Sequence, residues 1–322
     1  MTNEMNDINA AATALAHARV VTTVSHRRPD GDTIGSALAL AEALEAAGKT
    51  VRCFCADAVP SAFAFLPGAE RFTTDANALL GADTVAVIDS GDMRFTAVEP
   101  QIQSLSPKPV LLNIDHHVVN EQYGDVNAIL PAASATEVVF KILKTLNWKV
   151  TPSMATNLLV GIVTDTMMFF NPATTASSLQ VAAELERLGG DMKAVARTVS
   201  KNKNVGSLVL WGKALERLKF DPARSRASTV IRREELAELG SDDAVDGLSN
   251  FLNNNLSART VLVLRELGGG MVKGSLRTAS DDVDVCEEAL RYGGGGHRKA
   301  AGFAVRGNIV ERDNEWTVDT TS

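Results

Sequence analysis

Four short clusters of carboxylate and imidazole stand in the first half of this 322-residue chain, each at the end of an apolar run. VVTTVS leads into His26-Arg-Arg-Pro-Asp30-Gly-Asp32, and TVAVI into Asp89-Ser-Gly-Asp92. PVLLNI leads into Asp115-His116-His117, and NLLVGIVT into Asp165. Taken singly, an Asp after a strand is a turn or helix cap, and Pro-Asp-Gly-Asp reads as a turn. Taken together, carboxylates crowded into one crevice repel each other and raise one another's pKa, so the set needs cations. The donors are oxygen and imidazole with no thiolate, which favours Mn²⁺ and allows Mg²⁺, Co²⁺ or Zn²⁺. They are too many for one ion. Two divalent metal ions sharing a carboxylate clamp an attacking water and a leaving oxygen, the arrangement suited to phosphate-ester hydrolysis.

Something must bring these clusters together. Over 1–190, short apolar runs alternate with amphipathic stretches. Strands are expected at 20–24, in KTVRCFCA, at 84–89 and at 109–115. Helices are expected over 36–48, ended by Gly48, and over 133–146 and 154–164. Strands alternating with helices predict an α/β fold with a mainly parallel sheet flanked by helices. In such a sheet the carboxyl ends of the strands line one crevice, where three of the clusters converge and helical spacing can deliver Asp165. Residues 191–217 read as a helical linker. From 218 to 310 the texture changes to a smaller α/β unit: strands in ASTVIRR, RTVLVLREL and MVKGSLRT, a turn at Gly268–Gly270, and a helix in DVDVCEEALRY. Residues 311–322 read as a polar tail.

Composition narrows the function. Hydrophobic residues make up 45% and charged residues 22%, ordinary for a globular protein. A net charge of −7 does not attract long duplex DNA. Aromatics are 5%, and no basic cluster offers a channel for long single strands. No apolar run reaches the ~18–20 residues of a membrane helix, and the acidic, polar start does not read as a signal peptide. Cys53, Cys55 and Cys286 are too few for a disulfide framework, so a cytoplasmic location is expected.

The strings SHRRPDGDTIGS, VIDSGD, IDHH and GIVTDT resemble the four ordered motifs of the DHH phosphoesterase superfamily. SLRT and GGGGHRKAAGF resemble its DHH-associated substrate-binding domain. Together, over about 20–305, they are similar to the nanoRNase group, oligoribonucleases that are also 3′-phosphoadenosine-5′-phosphate phosphatases. The resemblance implies that His26, Asp30 and Asp89 hold one metal and that Asp32, Asp89, His116 and Asp165 hold the second, with Asp89 as the bridge. It implies that His117 faces the scissile phosphate and that Asp115 orients the histidines or the attacking water.

Gly293–Gly296 before His297 is not a P-loop, since no Lys-Ser/Thr pair follows. Glycines let backbone N–H groups approach a phosphate closely. Arg277 can add a bidentate contact and His297 a charge-assisted one. Substrate-binding residues are therefore expected at Arg277, Thr278, Gly294, Gly295, Gly296 and His297, with Thr278 where the pattern usually has Ser. The implied substrates are very short RNA oligonucleotides cut to nucleoside 5′-monophosphates, with 3′-phosphoadenosine 5′-phosphate as a second candidate. A linear or cyclic dinucleotide phosphodiesterase uses the same site. A non-catalytic nucleotide sensor is the alternative of another class and would bind dinucleotide without divalent metal. The resemblance leaves room for a homodimer. Ser134 and Thr136 are helix caps or phosphate contacts, Arg94 and Asp92 a surface pair or site residues, His17 structural.

Overall fold

A computed structural model describes residues 3–171, 173–200, 205–239, 242–245 and 247–320. The chain divides into two compact units, Met1–Asn202 and Lys203–Ser322. The boundary falls inside the stretch expected to be a linker.

The first unit runs α1 (Asn3–His17), β1 (Val20–Ser25), α2 (Gly31–Ala46), β2 (Thr50–Cys55), β3 (Phe72–Thr73), β4 (Thr84–Ile88), α3 (Glu99–Ser104), β5 (Val110–Asp115), β6 (Val126–Ile129), α4 (Ala135–Thr145), α5 (Pro152–Asp165), α6 (Ala176–Arg187) and α7 (Met192–Ser200). The six strands form one parallel sheet in the order β3-β2-β1-β4-β5-β6. Helices cover both faces, so the strands are near-continuous apolar runs; all five residues of β4 are buried. On one face Ile34, Leu38, Val138, Leu158 and Ile162 pack against Val21, Ile88 and Ile114. On the other, Val24, Val85 and Val87 meet Met93 and Ile102.

The strand order reverses between β1 and β4, the point where open α/β sheets bind ligands. The register there is level. Ser25 lies beside Ile88, and Ile88 beside Ile114. His26, Asp89 and Asp115 are therefore the next residues on three adjacent strands, side by side at one sheet edge.

Two expectations shift. Helix α2 begins at Gly31 rather than at 36, because Asp30 caps it: its carboxylate accepts from the N–H groups of Asp32 at 3.0 Å and Thr33 at 3.2 Å. The Pro-Asp-Gly-Asp string is thus a helix start that plants Asp32 in the first turn. Beyond α5 the chain also carries α6, for which no helix was expected, while α7 falls in the stretch read as a helical linker.

The second unit runs α8 (Val205–Glu216), β7 (Lys219–Asp221), β8 (Arg226–Ile231), α9 (Arg233–Leu239), α10 (Leu248–Asn255), β9 (Thr260–Glu266), β10 (Met271–Arg277), α11 (Val285–Arg291), β11 (Gly295–His297), β12 (Ala300–Arg306), β13 (Asn308–Arg312) and β14 (Glu315–Asp319). Its main sheet, β11-β12-β10-β9-β8-β7, is antiparallel except for β8 beside β9. The residues read as a polar tail include strand β14, in a hairpin with β13. The Trp316 N–H donates to Ser228 Oγ at 2.7 Å and its indole N–H to Arg217 O at 2.7 Å. One tryptophan and a buried Val318 are enough to dock an otherwise polar hairpin.

Candidate metal centre

Eight carboxylate and imidazole residues of the first unit meet at the level edge of the sheet. The ligand atoms of His26, Asp30 and Asp89 lie within 4.8 Å of one another, and so do those of Asp32, His116 and Asp165. Asp89, Asp115, His116 and His117 make a third such group. His26 Nε2 stands 3.5 Å from Asp89 Oδ2 and 3.8 Å from Asp30 Oδ1. His116 Nε2 stands 3.4 Å from Asp89 Oδ1, 3.4 Å from Asp165 Oδ2 and 3.7 Å from Asp32 Oδ2. Asp89 belongs to both sides of the cluster. It follows β4 in the left-handed region, at φ 60°, which Asp tolerates better than most residues and which turns the chain sharply at the strand end.

The backbone orients the imidazoles. His26 Nδ1 donates to Arg27 O at 2.8 Å and His116 Nδ1 to Ala132 O at 3.1 Å. Each ring thereby presents Nε2 to the carboxylates. Asp32 is fully buried and is fixed by the start of α4. It accepts from the N–H groups of Ala135 and Thr136 at 2.6 and 3.0 Å and from Thr136 Oγ1 at 2.9 Å. A carboxylate at a helix N-terminus is favoured by the orphan N–H groups there. Asp115 is fully buried and bonded to His117 Nδ1 at 2.7 Å and to Asn120 Nδ2 at 2.5 Å.

Charge crowding shows in the titration of the cluster. Burial works against a charged His26, yet Asp30 and Asp89 outweigh it and push the pKa up to about 11. Burial likewise opposes His116, which Asp89, Asp32 and Asp165 push up to about 10. Burial, then the charge of Asp89, pushes Asp32 up to about 7. Burial and the charges of Asp32 and Asp89 hold Asp165 well above the usual carboxylate range. Positive charge on the two histidines balances the crowded carboxylates.

The residues fit divalent metal ions by an independent test. Asp89 Oδ1 and His116 Nε2 are buried and have no hydrogen-bond partner, though buried polar atoms are normally satisfied. A metal ion would satisfy both. Since ligating imidazole must be neutral and ligating carboxyl ionised, Mn²⁺ loading is expected to release at least about two protons at pH 7, from His26 and His116, with a further share from Asp32 and Asp165. Apparent affinity then rises with pH and falls as the histidines gain protons. Calorimetry in buffers of different ionisation enthalpy measures the release, and uptake without release at pH 7 would contradict it.

Asp115 is expected to matter through His117. Their hydrogen bond is the main reason the His117 pKa is raised. Burial opposes the Asp115 charge, but His117 and Asn120 still hold its carboxyl below the usual range. Asp115→Asn should lower kcat by about 10- to 100-fold, the usual cost of losing an orienting partner, with bound metal unchanged. Loss of metal in equal measure would make Asp115 a ligand instead.

The secondary candidates take different places. Thr136 neither caps α4 nor stands free: its hydroxyl holds Asp32, 104 positions away in sequence. Ser134 is the N-cap, yet its side chain makes no capping bond and Oγ is buried and unpartnered. Asn120, in HHVVN, was missed altogether. Asp92 is the cap of a short turn and pairs with Arg94. His17 bonds to its own helix at Thr13 O.

In the second unit, Arg277 Nε donates to Asn250 Oδ1 at 2.7 Å, and both line a cavity of about 170 Å³ with Lys273 and Ser275. Thr278 is buried in the turn that follows: its hydroxyl donates to Arg259 O at 2.6 Å and accepts from the Ser280 N–H. It supports the backbone beside Arg277 rather than facing the cavity. A Cβ on Gly294 would meet Gly302 O at 2.2 Å and one on Gly296 would meet Ala300 O at 2.6 Å, so close strand approach requires both glycines. A Cβ on Gly295 would meet nothing, and His297 is exposed beside it.

Residues 20–162 match the family described as "DHH family, N-terminal domain", and residues 235–315 match the "DHHA1 domain". The bifunctional oligoribonuclease and PAP phosphatase NrnA of Thermus thermophilus is 33% identical over 293 residues, which span 90% of this chain and 86% of that protein. An exopolyphosphatase-related protein from Bacteroides fragilis has a TM-score of 0.85 at 23% identity, covering 93% of this chain and 91% of that one. RecJ from Thermus thermophilus, solved in complex with Mn²⁺, has a TM-score of 0.53 at 16% identity, covering 93% of this chain and 52% of that one. Both structures are likenesses of fold.

Proposed function

Because this chain belongs to the DHH family, we propose that it is a metal-dependent phosphoesterase that hydrolyses very short oligoribonucleotides to nucleoside 5′-monophosphates and 3′-phosphoadenosine 5′-phosphate to AMP. The observation that carries the reading is the pair of ligand groups joined at Asp89, with buried, unsatisfied donor atoms at Asp89 Oδ1 and His116 Nε2. His26, Asp30 and Asp89 would hold one divalent ion, and Asp32, Asp89, His116 and Asp165 a second. Mn²⁺ suits the mixed oxygen and imidazole donors. Bound there, the pair supplies Lewis-acid activation of water and neutralises phosphate charge.

The chain's own groups do the rest. Asp89 sets the spacing of the two halves, because one short side chain serves both. The N-terminus of α4 favours the ionised form of Asp32 and holds it in one place. Asp115 keeps the proton of His117 on Nδ1 and raises the ring's pKa. A protonated His117 then offers Nε2–H to a phosphate oxygen. In the second unit, Arg277 and His297 would take a substrate phosphate, with Gly295 leaving its backbone open to close approach. Short single strands fit the net charge of −7 better than long ones. No helix among the described residues is long and apolar enough to cross a membrane.

The test is a Mn²⁺-dependent product assay on one panel: a 5′-phosphorylated dinucleotide, a five-mer, a 24-mer, 3′-phosphoadenosine 5′-phosphate and cyclic di-AMP. Fast dinucleotide cleavage with a slow 24-mer, and AMP from the bisphosphate, are expected. A fast 24-mer makes it a general exonuclease. Preference for cyclic di-AMP makes it a cyclic-dinucleotide phosphodiesterase. Metal-independent binding of dinucleotide without turnover makes it a sensor.

A further inference from the structure

Helix α5 ends in an unusual turn immediately after Asp165. Met167, Met168 and Phe169 are successive left-handed residues, at φ 49°, 59° and 66°, and none is glycine. Such a conformation costs free energy at each residue and persists only where its surroundings impose it. Here the surroundings are hydrogen bonds around the helix end. The Met168 N–H donates to Val163 O at 2.8 Å, and the Phe169 N–H to Thr166 Oγ1 at 3.1 Å. The Phe170 N–H donates to Thr166 O at 3.0 Å, and Asn171 Nδ2 to Asp165 O at 2.6 Å. Met168 and Phe169 pack on the core. Phe170 does not: it is 80% exposed.

The turn thus fixes the backbone that carries this exposed aromatic ring, and Asn171 ties the same segment to the Asp165 carbonyl. Val118, which directly follows His117 in the chain, is also exposed, at 97%. Solitary exposed apolar residues are ordinary. Two of them in the segments that directly follow His117 and Asp165 have a specific use in a phosphoesterase, because the part of a nucleotide that repays contact with apolar surface is the base. A phenyl ring gives a base a stacking partner whatever its identity.

We propose that Phe170 is a stacking platform for a nucleobase flanking the scissile phosphate, held in position by the left-handed turn Met167–Phe169. This rests on the phosphodiesterase reading of the centre and extends it: the chain would select a phosphodiester that carries a base on that side.

The test compares two substrates on the full-length, Mn²⁺-loaded protein: 5′-phosphorylated diadenylate, and the same sugar-phosphate with hydrogen in place of each base. With Phe170→Ala, KM for diadenylate should rise about tenfold or more, the order of one lost base stack. Phe170→Tyr should restore it. With the base-free substrate the difference between wild type and Phe170→Ala should vanish. Equal losses on both substrates, or no loss on either, overturn the proposal. So does a Phe170→Ala protein that has lost bound Mn²⁺, since its defect then lies in the centre. A wild-type protein that leaves diadenylate intact removes the underlying reading and this inference with it. Normal cleavage with an unmoved KM removes the inference alone.

Discussion

Asp89→Asn is expected to lower kcat on a short oligoribonucleotide by about a thousandfold or more, a loss of several kcal/mol of charge stabilisation in the transition state. Among the described residues, Asp89 alone stands within reach of both histidine-centred halves, 3.5 Å from His26 Nε2 and 3.4 Å from His116 Nε2. Asn keeps the size and tolerates the left-handed backbone at φ 60° nearly as well, so the turn survives and only the charge goes. Both proposed cation sites would then lose a ligand, and bound Mn²⁺ per chain should fall at both positions. Asp30→Asn is the contrast: it touches one half only, and should leave the ion of the other half in place. Elemental analysis of dialysed protein beside steady-state kinetics separates the cases. Asp89→Asn with wild-type metal content and turnover would refute the bridge.

The parts of this centre that were legible are those the chain writes locally. VVTTVS is almost wholly β-branched and TVAVI and PVLLNI almost wholly apolar, the composition of buried parallel strands, and each runs into a residue of the candidate site. Level register then needs no further information: Ser25, Ile88 and Ile114 are neighbours, so His26, Asp89 and Asp115 after them are too. The start of α2 was misplaced for a chemical reason. Asp30 has two roles, cap and candidate ligand, and a turn is the commoner setting for Pro-Asp-Gly-Asp. What was not legible depends on distant residues. Nothing near Thr136 announces that its hydroxyl will meet Asp32, and nothing in the polar run after 308 announces that Trp316 will anchor it to Arg217 O and Ser228 Oγ. The Gly-rich string is a mixed case. Chemistry suggested phosphate for all its glycines, while close strand packing accounts for Gly294 and Gly296 and leaves Gly295 without an internal reason.

The least expected position is Gly161, where a single methyl group should disable a site it never touches in the wild type. Helices α2 and α5 pack in close contact, and a Cβ on Gly161 would fall 2.0 Å from Thr136 Oγ1 and 2.4 Å from Asp32 Oδ1. These are the hydroxyl that fixes Asp32 and the carboxylate oxygen it fixes. All three residues are buried, and Asp32 Oδ1 also takes the Thr136 N–H, so nothing there can give way cheaply. Gly161→Ala must therefore displace Asp32, or push α5, and with it Asp165 at the helix end, away from α2. Overpacking of this kind costs about 1–3 kcal/mol of stability, seen as a lower Tm. The functional cost should be larger than the stability cost predicts. Folded protein well below its Tm should bind Mn²⁺ less tightly at the half made by Asp32, His116 and Asp165, and kcat should fall by about tenfold or more, as expected when a ligand loses its orienting partners. Adding Thr136→Ala removes the nearer clash but also the hydroxyl that holds Asp32. The double variant should recover part of the Tm and none of the activity. If activity returned together with Tm, Asp32 would need only room, and its hydrogen bonds to the start of α4 would not be what makes it a ligand.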